Sequence, residues 1–188
     1  MNTYDQEVFN YLTQVENYRS AKQVASQLSQ IDNKLRTDFW NEVRENITTK
    51  LNSLNAGPWK VDLTLQGSGG LKAYQPEWED FGINLDLLSS RPDFGIYCPL
   101  TAYDREKVNT LIVPIILAER MTSKTNYWPC YRAISFDFSQ QSTLESILPA
   151  RRGETIDAIA GLFEEFVNKY LSVLENIARE AKIGKTDS

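Results

Sequence analysis

The sequence predicts an α+β protein in which an antiparallel sheet of about five strands is flanked by N-terminal helices and a long C-terminal helix. Three observations support this fold class. Residues 1–56 contain neither glycine nor proline and carry apolar residues at helical spacing. From Trp59 the pattern changes to strict alternation of apolar and polar residues, which is typical of strands with one buried face. A helical pattern returns from Glu154 to Lys182.

The N-terminal region predicts two helices. Residues 4–18 form an amphipathic pattern, and a second apolar stripe runs from Val24 to Leu54. A helix over residues 20–55 would measure on the order of 50 Å at 1.5 Å per residue, which exceeds the width of a domain of this size. Either this helix breaks near Ser29 to Asn33, or its N-terminal part projects and packs on another chain. The predicted organisation is a helical segment or arm over residues 1–30 and an α+β domain over residues 31–182.

Alternating residues predict the strands of the sheet. Gly57-Pro58 ends the helical region, since glycine caps helix C-termini and proline cannot continue them. The loop at Gly67–Gly70 lacks the lysine and hydroxyl ending of a phosphate loop, so it is interpreted as a hairpin connection. The apolar members of the first three predicted strands are Trp59, Val61, Leu63 and Leu65, then Phe81, Ile83, Leu85 and Leu87, then Phe94, Ile96 and Cys98.

The remainder of the chain, from Asp104 onward, alternates helix and strand. Asp104 is placed to cap a helix over residues 105–121, and Pro114 inside it predicts a bend or two short pieces. Residues 127–138 read as a strand, and a short helix is expected after Ser142. The last helix ends near Lys182, and residues 183–188 are predicted to be a disordered tail.

Composition excludes several classes of protein. The chain has 188 residues, a net charge of −5 and no histidine, which removes Ser-His and Cys-His nucleophile pairs and nearly every zinc site. The acidic balance argues against a general binder of nucleic-acid backbones. Cys98 and Cys130 fall in predicted strands and read as buried free thiols of a reducing compartment. The sequence has no apolar run of about 18 residues and no signal-peptide pattern, so we expect a cytoplasmic protein that does not associate with a membrane. No cofactor is predicted.

Two acidic groups are candidates for a metal site. Pro92-Asp93 resembles the opening of a metal-dependent nuclease motif, and Asp104 with Glu106 supplies further acids. The spacing does not fit, because Lys107 comes one residue too late and the acids stand at a predicted helix start, where the helix dipole favours them. The second group, Glu77, Glu79, Asp80 and Asp86, has no cation-ligand spacing and fits a solvated strand edge, so no metal site is predicted.

The polar side of the sheet is the best candidate for binding. If helices cover only one face of the sheet, the other face presents mixed polar residues bordered by aromatic residues. Exposed Trp, Tyr and Arg are common anchors of protein interfaces. The alternative is that helix 105–121 covers this face. The candidate residues for a binding face are Trp78, Asn84, Asp86, Tyr97, Trp128, Tyr131 and Arg132.

The order of these elements also carries a family resemblance. A helix containing Phe39-Trp40 leads into a sheet with Phe81-Gly82-Ile83 and Phe94-Gly95-Ile96, followed by Tyr127-Trp128-Pro129 and a closing helix. Over residues 30–180 this resembles the C-terminal half of bacterial and phage proteins grouped with the PD-(D/E)XK nuclease superfamily. The resemblance implies an accessory domain for recognition or assembly, since the nuclease centre of those proteins lies in an N-terminal portion that has no counterpart here.

From the sequence we therefore expect a non-catalytic module that binds another protein, in a setting of phage defence or counter-defence. Two alternatives remain open. One is a degenerate metal-dependent nuclease using Asp93, Asp104 and Glu106. The other is a structural homodimer assembled through the N-terminal helices.

Overall fold

The computed structural model describes residues 3–54, 56–65, 69–78, 80–87, 89–99, 101–122 and 125–183. It confirms the α+β class, with a five-stranded antiparallel sheet, N-terminal helices and a long C-terminal helix. The helices are α1 (Thr3–Leu12), α2 (Val15–Ser53), α3 (Arg105–Glu119), α4 (Gln141–Ser146) and α5 (Arg152–Glu180). The strands are β1 (Lys60–Thr64), β2 (Gly70–Tyr74), β3 (Gly82–Asp86), β4 (Asp93–Tyr97) and β5 (Cys130–Ala133). None of these helices combines the length and apolar character needed to cross a bilayer.

The strands pair in chain order, β1-β2-β3-β4-β5, and each pair is antiparallel. Directly paired residues point to the same side of a sheet, so the register assigns every strand residue to one of two faces. The core face includes the row Leu63, Leu71, Leu85, Phe94 and Arg132. The polar face includes the rows Asp62, Lys72, Asn84, Gly95 and Tyr131, and Thr64, Gly70, Asp86, Asp93 and Ala133.

Helix α5 covers the core face. The ring of Phe94 lies 5.1 Å from that of Phe163 and 5.3 Å from that of Phe166, both in edge-on contact. Nine residues of α5 are buried along its apolar stripe. Helix α3 packs beside α5 and buries Val108, Ile112 and Ile115. Because α5 and α3 pack on the core side, neither helix covers the polar face of the sheet.

The chain forms two compact units, Met1–Asp38 and Phe39–Ser188. The first unit contains α1 and the first part of α2, and α1 buries none of its residues. The second unit contains the sheet and the remaining helices. Its core includes the last part of α2, where Phe39, Val43, Ile47 and Leu51 are fully buried at helical spacing.

The helix boundaries near the N-terminus differ from those predicted. Helix α2 runs from Val15 to Ser53 as one element, so the predicted break near Ser29 to Asn33 is wrong. The region contains no glycine or proline that would interrupt it. The predicted helix over 4–18 is instead divided at Thr13 and Gln14. There Thr13 Oγ1 donates to the Phe9 carbonyl (2.9 Å) and Asn17 Nδ2 donates to the Tyr11 carbonyl (3.0 Å), which satisfies helix-end carbonyls from side chains.

Three further elements bear on the predictions. Asp104 caps α3 as predicted, accepting the backbone N–H groups of Glu106 (3.0 Å) and Lys107 (3.2 Å). Helix α3 continues through Pro114 as one helix, so the two-piece alternative is wrong. Strand β5 covers only Cys130–Ala133 of the predicted 127–138. Of the predicted tail, residues 184–188 lie outside the part of the chain that the structure describes.

Candidate functional site

A cleft of about 670 Å³ lies on the polar face of the sheet. Its described lining comes from the first four strands and from two loop segments, and includes no residue of α3. The alternative that helix α3 covers this face is therefore not what the described residues show. The lining residues are Asp62, Thr64, Gly70, Lys72, Asp80, Asn84, Asp86, Tyr97, Tyr127 and Trp128.

Gly95 places no side chain on the polar face beside Asn84. It pairs with Asn84 on β3 and with Tyr131 on β5. A Cβ atom at this position would lie 2.2 Å from the Cys130 carbonyl oxygen and 2.6 Å from the Tyr131 Cα, so β4 and β5 approach too closely for any side chain. The row of side chains that crosses the face therefore has a gap between Asn84 and Tyr131.

Lys72 lines the cleft from strand β2. Its Nζ lies 5.4 Å from the centre of the Tyr74 ring and 5.1 Å from that of the Tyr97 ring, within the range of cation–π attraction. Burial lowers the pKa of Lys72, and the carboxylates of Asp80 and Asp62 act against this shift. The ammonium is thus partly removed from water and held against two aromatic faces.

Carboxylates give the cleft a negative field. Asp62 accepts a hydrogen bond from the Tyr74 hydroxyl (2.9 Å), and this bond, with burial, raises the pKa of Tyr74. Burial and the charge of Asp80 raise the pKa of Tyr97. Burial, followed by the charge of Asp86 directly across the strand pair, raises the pKa of Asp93. Tyrosine and aspartate are both neutral when protonated, so the negative charge of nearby carboxylates opposes their ionisation.

An aromatic rim, formed by Tyr97, Tyr127 and Trp128, borders the cleft. The rings of Tyr97 and Tyr127 are nearly parallel with centres 6.2 Å apart, and Trp128 meets Tyr97 edge-on at 6.4 Å. Thr125 fixes this segment, because its Oγ1 accepts the N–H groups of Tyr127 (3.2 Å) and Trp128 (2.9 Å). The N–H of Cys98 also donates to the Tyr127 carbonyl (2.8 Å). The rim is therefore built on backbone anchored to the end of β4, although the Tyr127 side chain is 55% exposed.

Five of the seven predicted binding residues lie on or beside this face. Asn84, Asp86, Tyr97 and Trp128 line the cleft, and Tyr131 contacts Trp128 edge-on with ring centres 6.0 Å apart. These residues come together because alternate positions of neighbouring strands share a side of the sheet.

The other two predicted residues point elsewhere. Trp78 is only 2% exposed and packs against Trp59 and Phe81 in the core, so its place on a binding face was wrong. The assignment of Arg132 to the binding face was also wrong, because Arg132 pairs with Phe94 and so belongs to the core face. There its charge contributes to lowering the pKa of Glu119. Tyr131 and Arg132 are consecutive strand residues, so only one of them can face the cleft.

Lys72 was not among the predicted residues. Strand β2 escaped individual prediction because only Leu71 and Ala73 provide apolar alternation, between Gly70 and Tyr74. Those two buried positions are nevertheless the signal that would have placed Lys72 between them on the polar face.

The acids of the nuclease alternative are distributed differently. Asp93 begins β4 opposite Asp86, whereas Asp104 caps α3 and Glu106 stands in its first turn. Within the part of the chain that the structure describes, no group of three or more Asp, Glu or Cys side chains is placed to hold a metal ion. Glu79, from the second acidic group, lies outside the described residues.

Both cysteines are buried free thiols, as predicted. Burial raises the pKa of Cys98 and of Cys130 to about 12, so each thiol stays protonated near neutral pH and is a poor nucleophile.

The fold and the cleft together define an α+β chain in which, among the described residues, the polar face of the sheet carries an open cleft. Comparison with protein-family models, curated proteins and solved structures gave no match to the chain. The resemblance to accessory domains of the PD-(D/E)XK nuclease superfamily stays a prediction.

Proposed function

We propose that the chain is a non-catalytic module that binds another protein through the polar face of its sheet. The observation that carries this proposal is the aromatic rim beside the cleft. Tyr127 exposes 55% of its surface while its backbone is fixed by Thr125 and Cys98. Tyrosine and tryptophan held in a defined orientation supply large contact area at low entropic cost, as in the hot spots of protein interfaces.

The sequence resemblance supplies the biological setting of the proposal, which is phage defence or counter-defence. The buried free cysteines, Cys98 and Cys130, fit a reducing compartment, so we place the protein in the cytoplasm. The accessory role that the resemblance implies agrees with protein binding through the polar face of the sheet.

Site-specific photo-crosslinking tests this function. A photoreactive phenylalanine analogue at Tyr127 is expected to capture one defined partner from extracts of the native host. The same analogue at Leu117, a 73% exposed residue of α3 outside the cleft lining, is the matched control and should not capture it.

A second change, Trp128→Ala, should abolish capture from position 127 if the rim contributes binding energy. Equal capture from positions 127 and 117, or capture that survives Trp128→Ala unchanged, would contradict a binding role for this face.

A second candidate function is a homodimer formed through the first unit. Val24, Leu28 and Ile31 follow each other at spacings of four and three on α2, and each is more than half exposed. This spacing is that of the contact seam between two packed helices. The seam is a feature of the first unit alone, so this candidate does not depend on the cleft.

A further inference from the structure

We propose that the cleft recognises an arginine side chain of the partner protein, whose guanidinium stacks on the aromatic rim and faces the carboxylates of Asp62, Asp80 and Asp86. This inference rests on the proposed protein-binding function and names the residue type that the partner presents. It is carried by three features of the cleft, namely the orientation of its rings, its charge and its shape.

The cleft already holds a cation of the protein itself. The ammonium of Lys72 lies within 5.4 Å of the Tyr74 ring centre and 5.1 Å of the Tyr97 ring centre. Aromatic faces attract cations through their negative quadrupole, and the attraction grows when water is excluded. The contacts of Lys72 therefore show that Tyr97 in the cleft and Tyr74 beside it turn their ring faces toward a positive charge. Tyr127 adds a further ring, which stacks on Tyr97 with an angle of 6° between the ring planes and is itself 55% exposed.

The charge of the lining favours a cationic guest. Among the described lining residues, three aspartates stand against the single ammonium of Lys72. Strand residues beyond the lining also lie on this face, namely Asp93 across from Asp86, Tyr74 with its hydroxyl on Asp62, and Lys60, which pairs with Tyr74. With Asp93 and Lys60 included, four aspartates stand against two lysines, so the acidic excess remains. A guanidinium entering this field would be attracted, whereas a carboxylate or phosphate would be repelled.

The geometry favours arginine over lysine. A guanidinium is planar and weakly hydrated, so it can stack on a ring and donate several hydrogen bonds to carboxylates in the same position. An ammonium is compact and strongly hydrated, and Lys72 already occupies the position over the Tyr97 ring that would suit one. The volume of about 670 Å³ exceeds that of one side chain, which leaves room for the backbone of the segment that carries it.

Blocked tripeptides test the inference without knowledge of the partner. Acetyl-Gly-Arg-Gly-amide is titrated into the full-length protein, and binding is followed by NMR through the indole N–H of Trp128 and the backbone N–H of Tyr127. The control peptides carry citrulline, which has the shape of arginine without its charge, or lysine or glutamate. We expect saturable shifts with arginine, binding about tenfold weaker with citrulline, intermediate binding with lysine, and none with glutamate.

Variants assign the binding to the cleft. Asp80→Asn should weaken the arginine peptide about threefold or more, whereas Glu165→Gln, which removes one charge from an exposed position of α5, should leave it unchanged. Lys72→Met removes the competing ammonium while keeping an unbranched apolar chain, so it should tighten binding by a similar factor.

Two results would overturn the inference: equal binding of the arginine and citrulline peptides, or the absence of saturable shifts at Trp128 and Tyr127 with any peptide. If crosslinking at Tyr127 captures a partner while the arginine peptide fails, the arginine inference is wrong and the protein-binding function stands. If the arginine peptide binds at the cleft while no partner is captured, the cationic specificity stands and the protein-binding function is wrong.

Discussion

At the residue scale, Gly95 connects the packing of the sheet with the depth of the cleft. The carbonyl of Cys130 and the Cα of Tyr131 occupy the space that a side chain at position 95 would need. Both obstacles are backbone atoms of β5, which cannot rotate away as a flexible side chain would. Because Gly95 has no side chain, it also leaves Asn84 uncovered on the side that faces β4. Gly95 therefore both permits the close packing of β4 against β5 and shapes the cleft.

Replacing Gly95 by alanine should therefore destabilise the protein. We expect Gly95→Ala to lower the free energy of unfolding by about 1–3 kcal/mol, because β5 must shift to admit the methyl group. Gly161→Ala is the matched control, since among the described residues no atom apart from its chain neighbours and the nearby backbone of α5 lies within 4 Å of a Cβ built there. In a helix interior this exchange should raise stability by up to about 1 kcal/mol. Urea unfolding measures both, and a neutral Gly95→Ala would show that the strands are not constrained at this point.

At the element scale, Glu119 ties the end of α3 to α5. Its Oε1 accepts hydrogen bonds from Lys169 Nζ (2.6 Å) and from the Tyr170 hydroxyl (2.7 Å). The bond from Lys169 is the main reason that the pKa of Glu119 is lowered, with Tyr170 and the charge of Arg132 adding to the effect. The same bond raises the pKa of Lys169. Two helices that cover the core face are thus joined at a partly buried point.

The lowered pKa of Glu119 gives its contribution a defined pH dependence. The stabilisation is present above the ordinary glutamate pKa of 4.5 and is lost as pH falls through the lower folded-state value. Glu119→Gln should therefore cost about 1 kcal/mol at pH 7, and the difference from the natural chain should shrink below pH 4.5. Urea unfolding at both pH values measures this, with Glu165→Gln as the exposed control. A difference that persists undiminished in acid would assign the effect to packing instead of charge.

Elements with strong periodicity were predictable from the sequence, and weakly patterned ones were not. Helix α5, the alternating strands β3 and β4, and the cap at Asp104 follow directly from residue spacing. Strand β2 has only two apolar positions and was missed. In the cleft, Asn84, Asp86 and Tyr97 were found because alternation fixes their side of the sheet.

The remaining site residues depended on information that spacing does not contain. Arg132 was misplaced because the phase of a short strand is set by its pairing, here with Phe94. Trp78 was misplaced because it lies in a 3₁₀ turn, Pro76–Trp78, where no period indicates the buried side. Lys72 makes its cation–π contacts only because the folded sheet brings the Tyr74 and Tyr97 rings near it.

At the scale of the whole molecule, the two units carry different candidate functions. The cleft and its rim belong entirely to the unit Phe39–Ser188, and the apolar seam belongs to Met1–Asp38. The proposed protein recognition through the unit Phe39–Ser188 and the proposed self-association through the unit Met1–Asp38 can therefore be tested separately, by substitutions within the intact chain.

Light scattering on the full-length chain tests self-association. The triple variant Val24→Glu, Leu28→Glu, Ile31→Glu places three charges on the seam and should convert a dimer to a monomer, because burying unpaired charges is costly. The control variant Gln23→Glu, Gln27→Glu, Gln30→Glu adds the same charge at neighbouring exposed positions and should stay dimeric. A natural chain that is already monomeric at high concentration, or equal dissociation of both variants, would contradict the homodimer.

The strictly sequential order of the strands has a consequence for how the chain folds. The pairings from β1 to β4 join neighbours separated by short connections, so they require little loop-closure entropy and can form early. The pairing of β4 with β5 is expected to form later, because a long connection that contains α3 separates these two strands. Since that last pairing brings Tyr131 beside Gly95, and the segment before it carries the ring of Trp128, the rim of the cleft is assembled at the end of folding and is the region expected to open first.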